Sequence, residues 1–215
     1  MNRLTIAIPT FRRPQDLKRA VRGVLEQAGE LVGGLSAEAR EPDGDSAGAA
    51  DGDGGARRGV SDVEVLVIDN DAQGAGREAA LAAAADAGVP VRSSAEGADE
   101  PEAVGLRYVV EERPGVAAVR NRALDETGGR DLLVFIDDDE EPEPGWLAAL
   151  VGLWASTGCQ AVAGPVIPVY EVEPEAWVRQ GEFFVRRTWP TGTVRPVAAS
   201  NCLLLDLGFV RRAGL

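Results

Sequence analysis

The 215-residue chain contains no histidine. Ser-His-Asp and Cys-His catalysis, imidazole metal ligands and a histidine general base are therefore excluded. Lys18 is its single lysine among 22 basic residues, which argues against a Schiff-base lysine or the lysine of a Walker phosphate loop. Cys159 and Cys202 match no metal spacing and are too few for a disulfide scaffold, so both read as free thiols of a reducing compartment. The longest apolar stretch, residues 146–155, is about half of what a membrane span requires. The N-terminal MNRLTIAIPTF has neither the extended apolar core nor the cleavage site of a signal peptide. No basic stripe with interleaved aromatics occurs, which disfavours a nucleic-acid partner. These absences suit a cytoplasmic protein and leave room for peripheral contact with the inner face of a membrane.

What is present supports one sizeable core. With 45% hydrophobic residues, the chain reads as a single domain over 1–215. The net charge of −13 is concentrated in three places. Residues 36–59 carry six acids and three arginines, residues 93–105 four acids and no base, and residues 137–143 six acids. Outside them the charges balance. The first two segments are low in complexity; residues 36–59 have no Leu, Ile, Val or aromatic residue, too little apolar surface to offset ordering entropy. Both are expected to be disordered acidic inserts.

Along the rest of the chain, strand and helix patterns alternate. Residues 4–8 form an apolar, β-branched run closed by Pro9, and Pro14 suits the first turn of a helix with Leu17, Val21, Val24, Leu25 and Leu31 at helical spacing. Strands are expected at 63–68, 106–110, 132–136, 160–169 and 197–205, with a short one at 89–91. Helices are expected at 76–87, 116–127 and from Pro144 to Trp154, and another begins at Gly208. This alternation predicts an α/β fold, a Rossmann-like, mostly parallel sheet with helices on both faces. Ligands of such sheets bind outside the carboxyl ends of the strands.

Three polar clusters fall at such ends: residues 9–13 (PTFRR), 69–71 (DND) and 137–139 (DDD). Two carboxylates about 5 Å apart repel by roughly 3 kcal/mol at an effective dielectric near 20. Six acids directly after a buried strand therefore need neutralising, and carboxylate oxygens suit Mg2+ or Mn2+, ions commonly completed by substrate phosphates. In an extended conformation Asp137 and Asp139 would face one way and Asp138 the other. Asp69 could accept a hydrogen bond from a base or ribose, although Asp-Asn at a strand end also serves as a cap or turn. Arg12 and Arg13 could pair with phosphate, and Arg120 could reach the same cleft from its helix. Trp177 and Trp189 are expected to pack in the core or a loop rather than stack on a sugar.

Together, TIAIPTFRRPQDLKRAVRGVLEQ, VEVLVIDND, RPGVAAVRNRALDET and LLVFIDDDEEPEPGWLAAL resemble the inverting glycosyltransferases of family 2, which have the GT-A fold. GPVIPVYEVEPEAW and ASNCLLL resemble its succinoglycan-biosynthesis β-glucosyltransferase branch. The resemblance implies transfer from a nucleotide-sugar donor, UDP-glucose-like, to a saccharide or lipid-linked acceptor in polysaccharide biosynthesis, with Mn2+ or Mg2+. It assigns Pro9, Thr10 and Arg13 to the nucleotide, Asp69 to the nucleobase, and Arg120 to a basic position beside them. Asp137-Asp138-Asp139 stands at the DxD motif, with Asp137 and Asp139 as metal contacts and Asp138 facing the ribose or sugar. Asn201 falls near the donor sugar and acceptor. The family's catalytic base, an Asp or Glu in a later element, is expected beyond Leu215, so the domain reads as incomplete at its C-terminal end. The alternative is a non-catalytic nucleotide-sugar-binding remnant.

Overall fold

The computed structural model describes residues 1–38, 59–93 and 103–214, the stretch 35–38 as backbone alone. The chain runs β1 (Asn2–Thr10), α1 (Pro14–Glu38), β2 (Val60–Asp69), α2 (Arg77–Asp86), β3 (Val104–Val110), α3 (Val116–Asp125) and β4 (Leu132–Ile136). It continues through α4 (Trp146–Thr157), β5 (Ala161–Ala163), α5 (Ala176–Gly181), β6 (Cys202–Asp206) and α6 (Leu207–Ala213). These strands form one sheet in the order β3-β2-β1-β4-β6-β5. β3, β2, β1 and β4 are parallel, whereas β6 runs antiparallel to both neighbours. The expected mostly parallel α/β fold is thus observed.

Alternating side chains divide the core into two layers. Leu4, Ile6 and Ile8 of β1, with Val63, Val65 and Val67 of β2, pack beneath α1, α2 and α4. Ala7, Leu66, Ile68, Leu133 and Phe135 face the other way, toward Val119 and Ala123 of α3 and Leu207 of α6. Strands buried on both faces read as continuous apolar runs, the pattern expected of a covered parallel sheet. The second face also buries an ion pair: Arg107 donates from Nε and Nη2 to the two oxygens of wholly buried Glu64, at 3.0 and 3.1 Å.

Several boundaries differ from the sequence expectation. β1 does not stop before Pro9, which stays in register with Ile68. β4 has left that flank after Ala7↔Phe135, so a missing N–H costs no ladder bond with β4 there. The expected strand at 160–169 shrinks to β5, because Pro165 and Pro168 cannot donate to a ladder. The strand expected from 197 begins only at Cys202, opposite Ile136, where β4 ends and pairing partners run out. The short strand at 89–91 is one bridge, Val91 to Leu106. Of the first insert, residues up to Glu38 continue α1; of the second, Val104 and Gly105 already belong to β3. Residues 39–58 and 94–102 of the inserts lie outside the described residues.

Candidate active site

The carboxyl ends of β1, β2, β3 and β4 share one rim. Because β6 runs the opposite way, it brings its amino end, with Ser200 and Asn201 just before it, to that rim beside β4.

Thr10 closes β1 and ties its own polar cluster to the other two. Its carbonyl accepts from Asn70 N–H at 2.9 Å, and its buried hydroxyl donates to Asp138 Oδ2 at 2.7 Å. Arg12 adopts a left-handed φ of 55° and reaches Asp71 Oδ1 at 3.4 Å. Arg13 then bridges two acids, donating from Nη1 to Asp139 Oδ2 at 2.7 Å and to Asp138 Oδ1 at 3.4 Å.

Ile136 is the last residue of β4, and a turn begins at once. Glu140 N–H donates to Asp137 carbonyl, and Asp137 N–H to Glu140 Oε2, both at 3.2 Å. The turn abolishes the alternation expected of an extended run: Asp138 and Asp139 share Arg13, and Asp137 pairs elsewhere. Asp137 Oδ1 accepts from Arg120 Nη2 at 2.7 Å, while Arg120 Nη1 donates to Ser200 carbonyl at 2.5 Å. The guanidinium of Arg120 lies 4.8 Å from the ring centre of Phe135, and its buried Nε has no hydrogen-bond partner among the described residues. Arg120 is therefore half-buried and structural to the rim. Asn201 Nδ2 donates to Glu140 Oε1 at 2.6 Å, tying the start of β6 to the acidic turn. Burial holds the carboxyl groups of Asp138 and Glu140 above the ordinary carboxylate range, against the opposing hydrogen bonds from Thr10 and from Asp137 N–H, respectively.

Asp69 lies at the end of β2 with no exposed surface. Its Oδ1 accepts from Asp71 N–H at 2.9 Å, and its Oδ2 accepts from Gly76 N–H at 2.7 Å and from the Tyr108 hydroxyl at 2.5 Å. Its carboxylate is committed to its own loop rather than turned outward. Burial and the adjacent Asp69 push the Tyr108 phenol up. Asn70 fastens this loop to the next: Nδ2 donates to the carbonyls of Glu111 and Arg113 at 2.8 and 2.7 Å, and Oδ1 accepts from Gly115 N–H at 2.8 Å.

The rim thus gathers Pro9, Thr10, Arg13, Asp69, Arg120, Asp137, Asp138, Asp139 and Asn201, although Asp69 faces inward. Sequence reasoning gave no role to Glu140 or Tyr108. Glu140 stood in plain view within the acid run, three residues after Asp137, a spacing that closes a turn. Tyr108 is signalled only by strand register, which sets it opposite Val67, two residues before Asp69. Trp177 and Trp189 pack in no core; their exposures are 62% and 44%. Among the described residues, no three metal-ligating side chains converge.

A mostly parallel sheet covered on both faces, with acids, arginines and an antiparallel strand at its carboxyl-end rim, defines an α/β domain of the GT-A glycosyltransferase type. Residues 55–204 match the model of glycosyl transferase family 2, and the chain belongs to that family. It is 33% identical over 143 residues to the succinoglycan biosynthesis protein ExoM of Rhizobium meliloti (strain 1021), covering 66% of this chain and 41% of ExoM. Among solved structures it resembles the mannosyltransferase PcManGT of Pyrobaculum calidifontis, in complex with GDP-Man and Mn2+. The TM-score is 0.56 at 16% identity, over 99% of this chain and 47% of that one. The chain therefore spans less than half the length of either relative. Among the described residues, no helix is long and apolar enough to cross a membrane.

Proposed function

We propose that residues 1–215 act as one glycosyltransferase domain in polysaccharide biosynthesis, moving a sugar from a nucleotide-sugar donor to a saccharide or lipid-linked acceptor with inversion. The carrying observation is the convergence of Thr10, Arg13, Arg120, the three aspartates and Asn201 on one rim. The resemblance to the succinoglycan-biosynthesis β-glucosyltransferase branch supports a UDP-glucose-like donor, and the same reading puts the protein in the cytoplasm, peripheral to the inner face of the membrane. In this reading the loop shaped by Asp69 receives the nucleobase beside Pro9 and Thr10. Arg13 and Arg120 hold the diphosphate, Asp138 faces the ribose or sugar, and Asn201 lies beside the donor sugar and acceptor.

The donor chemistry of the acidic turn fits a hard divalent cation. Asp139 is exposed and Asp137 half-buried, and Mg2+ is typically held by only one or two carboxylates plus substrate phosphates, so three converging ligands are not needed. Asp137 and Asp139 would hold Mn2+ or Mg2+, which supplies charge stabilisation to the diphosphate. The acceptor hydroxyl attacks the anomeric carbon from the face opposite the diphosphate and gives its proton to a carboxylate. As that bond forms, the bond from the anomeric carbon to the phosphate oxygen breaks, its electron pair leaving with the diphosphate. Arg13 and Arg120 stabilise the charge that develops there.

Thermal-shift titration with UDP-, GDP- and dTDP-sugars, with and without Mn2+, tests this reading. Saturation at about 100 Kd stabilises the folded state by roughly 2.7 kcal/mol. For a chain of this size that is a Tm rise of roughly 5–10 °C. Asp139→Ala should remove the part of the rise that depends on Mn2+. If no nucleotide sugar moves Tm in either condition, the proposal fails.

A further inference from the structure

The chain between β5 and β6 leaves the sheet and returns to it at the rim of the site. Gly164 N–H donates to Cys202 carbonyl at 3.0 Å, so the two ends of the excursion are pinned together there. From Ile167 onward, until Cys202, no side chain joins either core cluster, and every residue from Arg179 to Ala199 is exposed. The exposed side chains include Trp177, Phe183, Phe184, Val185, Trp189 and Val194. They touch one another instead of the core: Trp177 against Phe183 at 5.8 Å, Tyr170 against Phe184 at 6.2 Å, and Arg195 over the Trp189 ring at 3.6 Å.

Residues 167–199 carry four glutamates and four arginines, but the two signs are separated along the segment. Residues 183–199 contain Arg186, Arg187 and Arg195 and no acid, within a chain of net charge −13. Among the described residues, neither Arg186 nor Arg187 is paired with a carboxylate. Three arginines are too few for the basic stripe of a nucleic-acid binder, but this short cluster of rings and guanidinium groups suits the boundary between acyl chains and anionic headgroups: the rings enter the interface and the guanidinium groups meet phosphate. A two-fold contact of this patch with itself would set Arg186, Arg187 and Arg195 against their own copies, and that like-charge repulsion favours a negatively charged lipid surface over a second copy meeting the same face.

We propose that residues 183–197 form a peripheral docking surface for anionic lipid bilayers. Its value for catalysis rests on the glycosyltransfer reading, in which the membrane would present a lipid-linked acceptor to the adjacent rim. Lipid binding itself stands on this segment alone.

Co-sedimentation of the full chain with phosphatidylcholine vesicles, with and without phosphatidylglycerol, tests it. Binding should require phosphatidylglycerol and weaken as salt rises. The pairs Arg186→Glu/Arg187→Glu and Phe184→Ala/Trp189→Ala should each lower partitioning by about tenfold or more. These residues touch no core, so both variants should keep the parent circular-dichroism spectrum and nucleotide-sugar thermal shift. Equal binding to neutral vesicles, or undiminished binding by the arginine variant, overturns the proposal. So does a vesicle-free dimer dispersed by Phe184→Ala/Trp189→Ala, which would assign the face to a second copy. A chain that binds anionic vesicles yet no nucleotide sugar would retain the membrane surface while defeating the transfer reading.

Discussion

Arg120→Ala is the sharpest test of how the rim is held. Arg120 makes two charge-assisted contacts, to Asp137 at 2.7 Å and to the Ser200 carbonyl at 2.5 Å, and lies over Phe135. A buried bond to a charged group contributes about 1.5–3 kcal/mol. The Asp137 bond counts for less, because that side chain is 36% exposed and rehydrates when freed. The ring contact adds roughly 0.5–1 kcal/mol. Against these, the buried, unpartnered Nε costs about 1 kcal/mol while Arg120 is present, and its removal returns that amount. The net loss is on the order of 2 kcal/mol. Equilibrium urea denaturation should register it as a lower midpoint with an unchanged slope. Arg120→Lys should recover less than half, since an ammonium cannot span Asp137 and Ser200 or stack as a plane. A variant within about 0.5 kcal/mol of the parent would refute the reasoning, because surface-like substitutions fall in that range.

Asp138→Asn should flatten the dependence of stability on pH. Burial raises the Asp138 carboxyl, so between the ordinary carboxylate range and the raised value the folded chain binds more protons than the unfolded one. Its contribution is therefore greatest at low pH and declines as pH rises through that window. Asparagine keeps an acceptor for Thr10 but does not titrate; an unchanged slope in urea midpoints across that window would show that Asp138 does not set it. Gly76→Ala should destabilise by roughly 1–3 kcal/mol through overpacking. A Cβ there would lie 2.8 Å from Leu17 Cδ2, 3.0 Å from Asp69 Oδ2 and 3.3 Å from Thr10 Cγ2. Its φ of −84° suits alanine, so crowding alone is responsible, and thermal denaturation at parent Tm would contradict it.

The sheet was largely legible because burial on both faces leaves near-continuous apolar runs, as in LTIAI, VEVLVI and LLVFI, broken only by Thr5 and Glu64. Strand limits were less so, since they depend on where a neighbour stops: β6 starts at Cys202 only because β4 ends at Ile136. Thr10, Arg13 and the aspartates could be placed by the rule that sites gather at strand ends. The direction each side chain takes could not. Asp69 looks outward in a linear reading, yet the N–H groups of Asp71 and Gly76 and the Tyr108 hydroxyl draw it inward. Glu140 acquires its role from a turn and from Asn201, 61 residues away. The tryptophans of the excursion carried another lesson: of the core or loop packing expected of them, only contacts within the excursion occur, and among the described residues no core side chain reaches them.

The reversed strand explains why the acid run is tolerable. A sheet of four parallel strands would deliver only strand ends to the rim, leaving six acids crowded after β4. β6 instead supplies Asn201 to Glu140, and the Ser200 carbonyl fixes the Arg120 fork that meets Asp137. Arg13, from the turn after β1, meets Asp138 and Asp139, and Arg19 of α1 meets Glu141 at 3.2 Å. At roughly 3 kcal/mol for each close carboxylate pair, repulsion would otherwise splay the turn. Counter-charges drawn from separate elements hold it in shape, so the acidic turn is already organised by the protein's own arginines, with Asp139 exposed and Asp137 half-buried toward solvent.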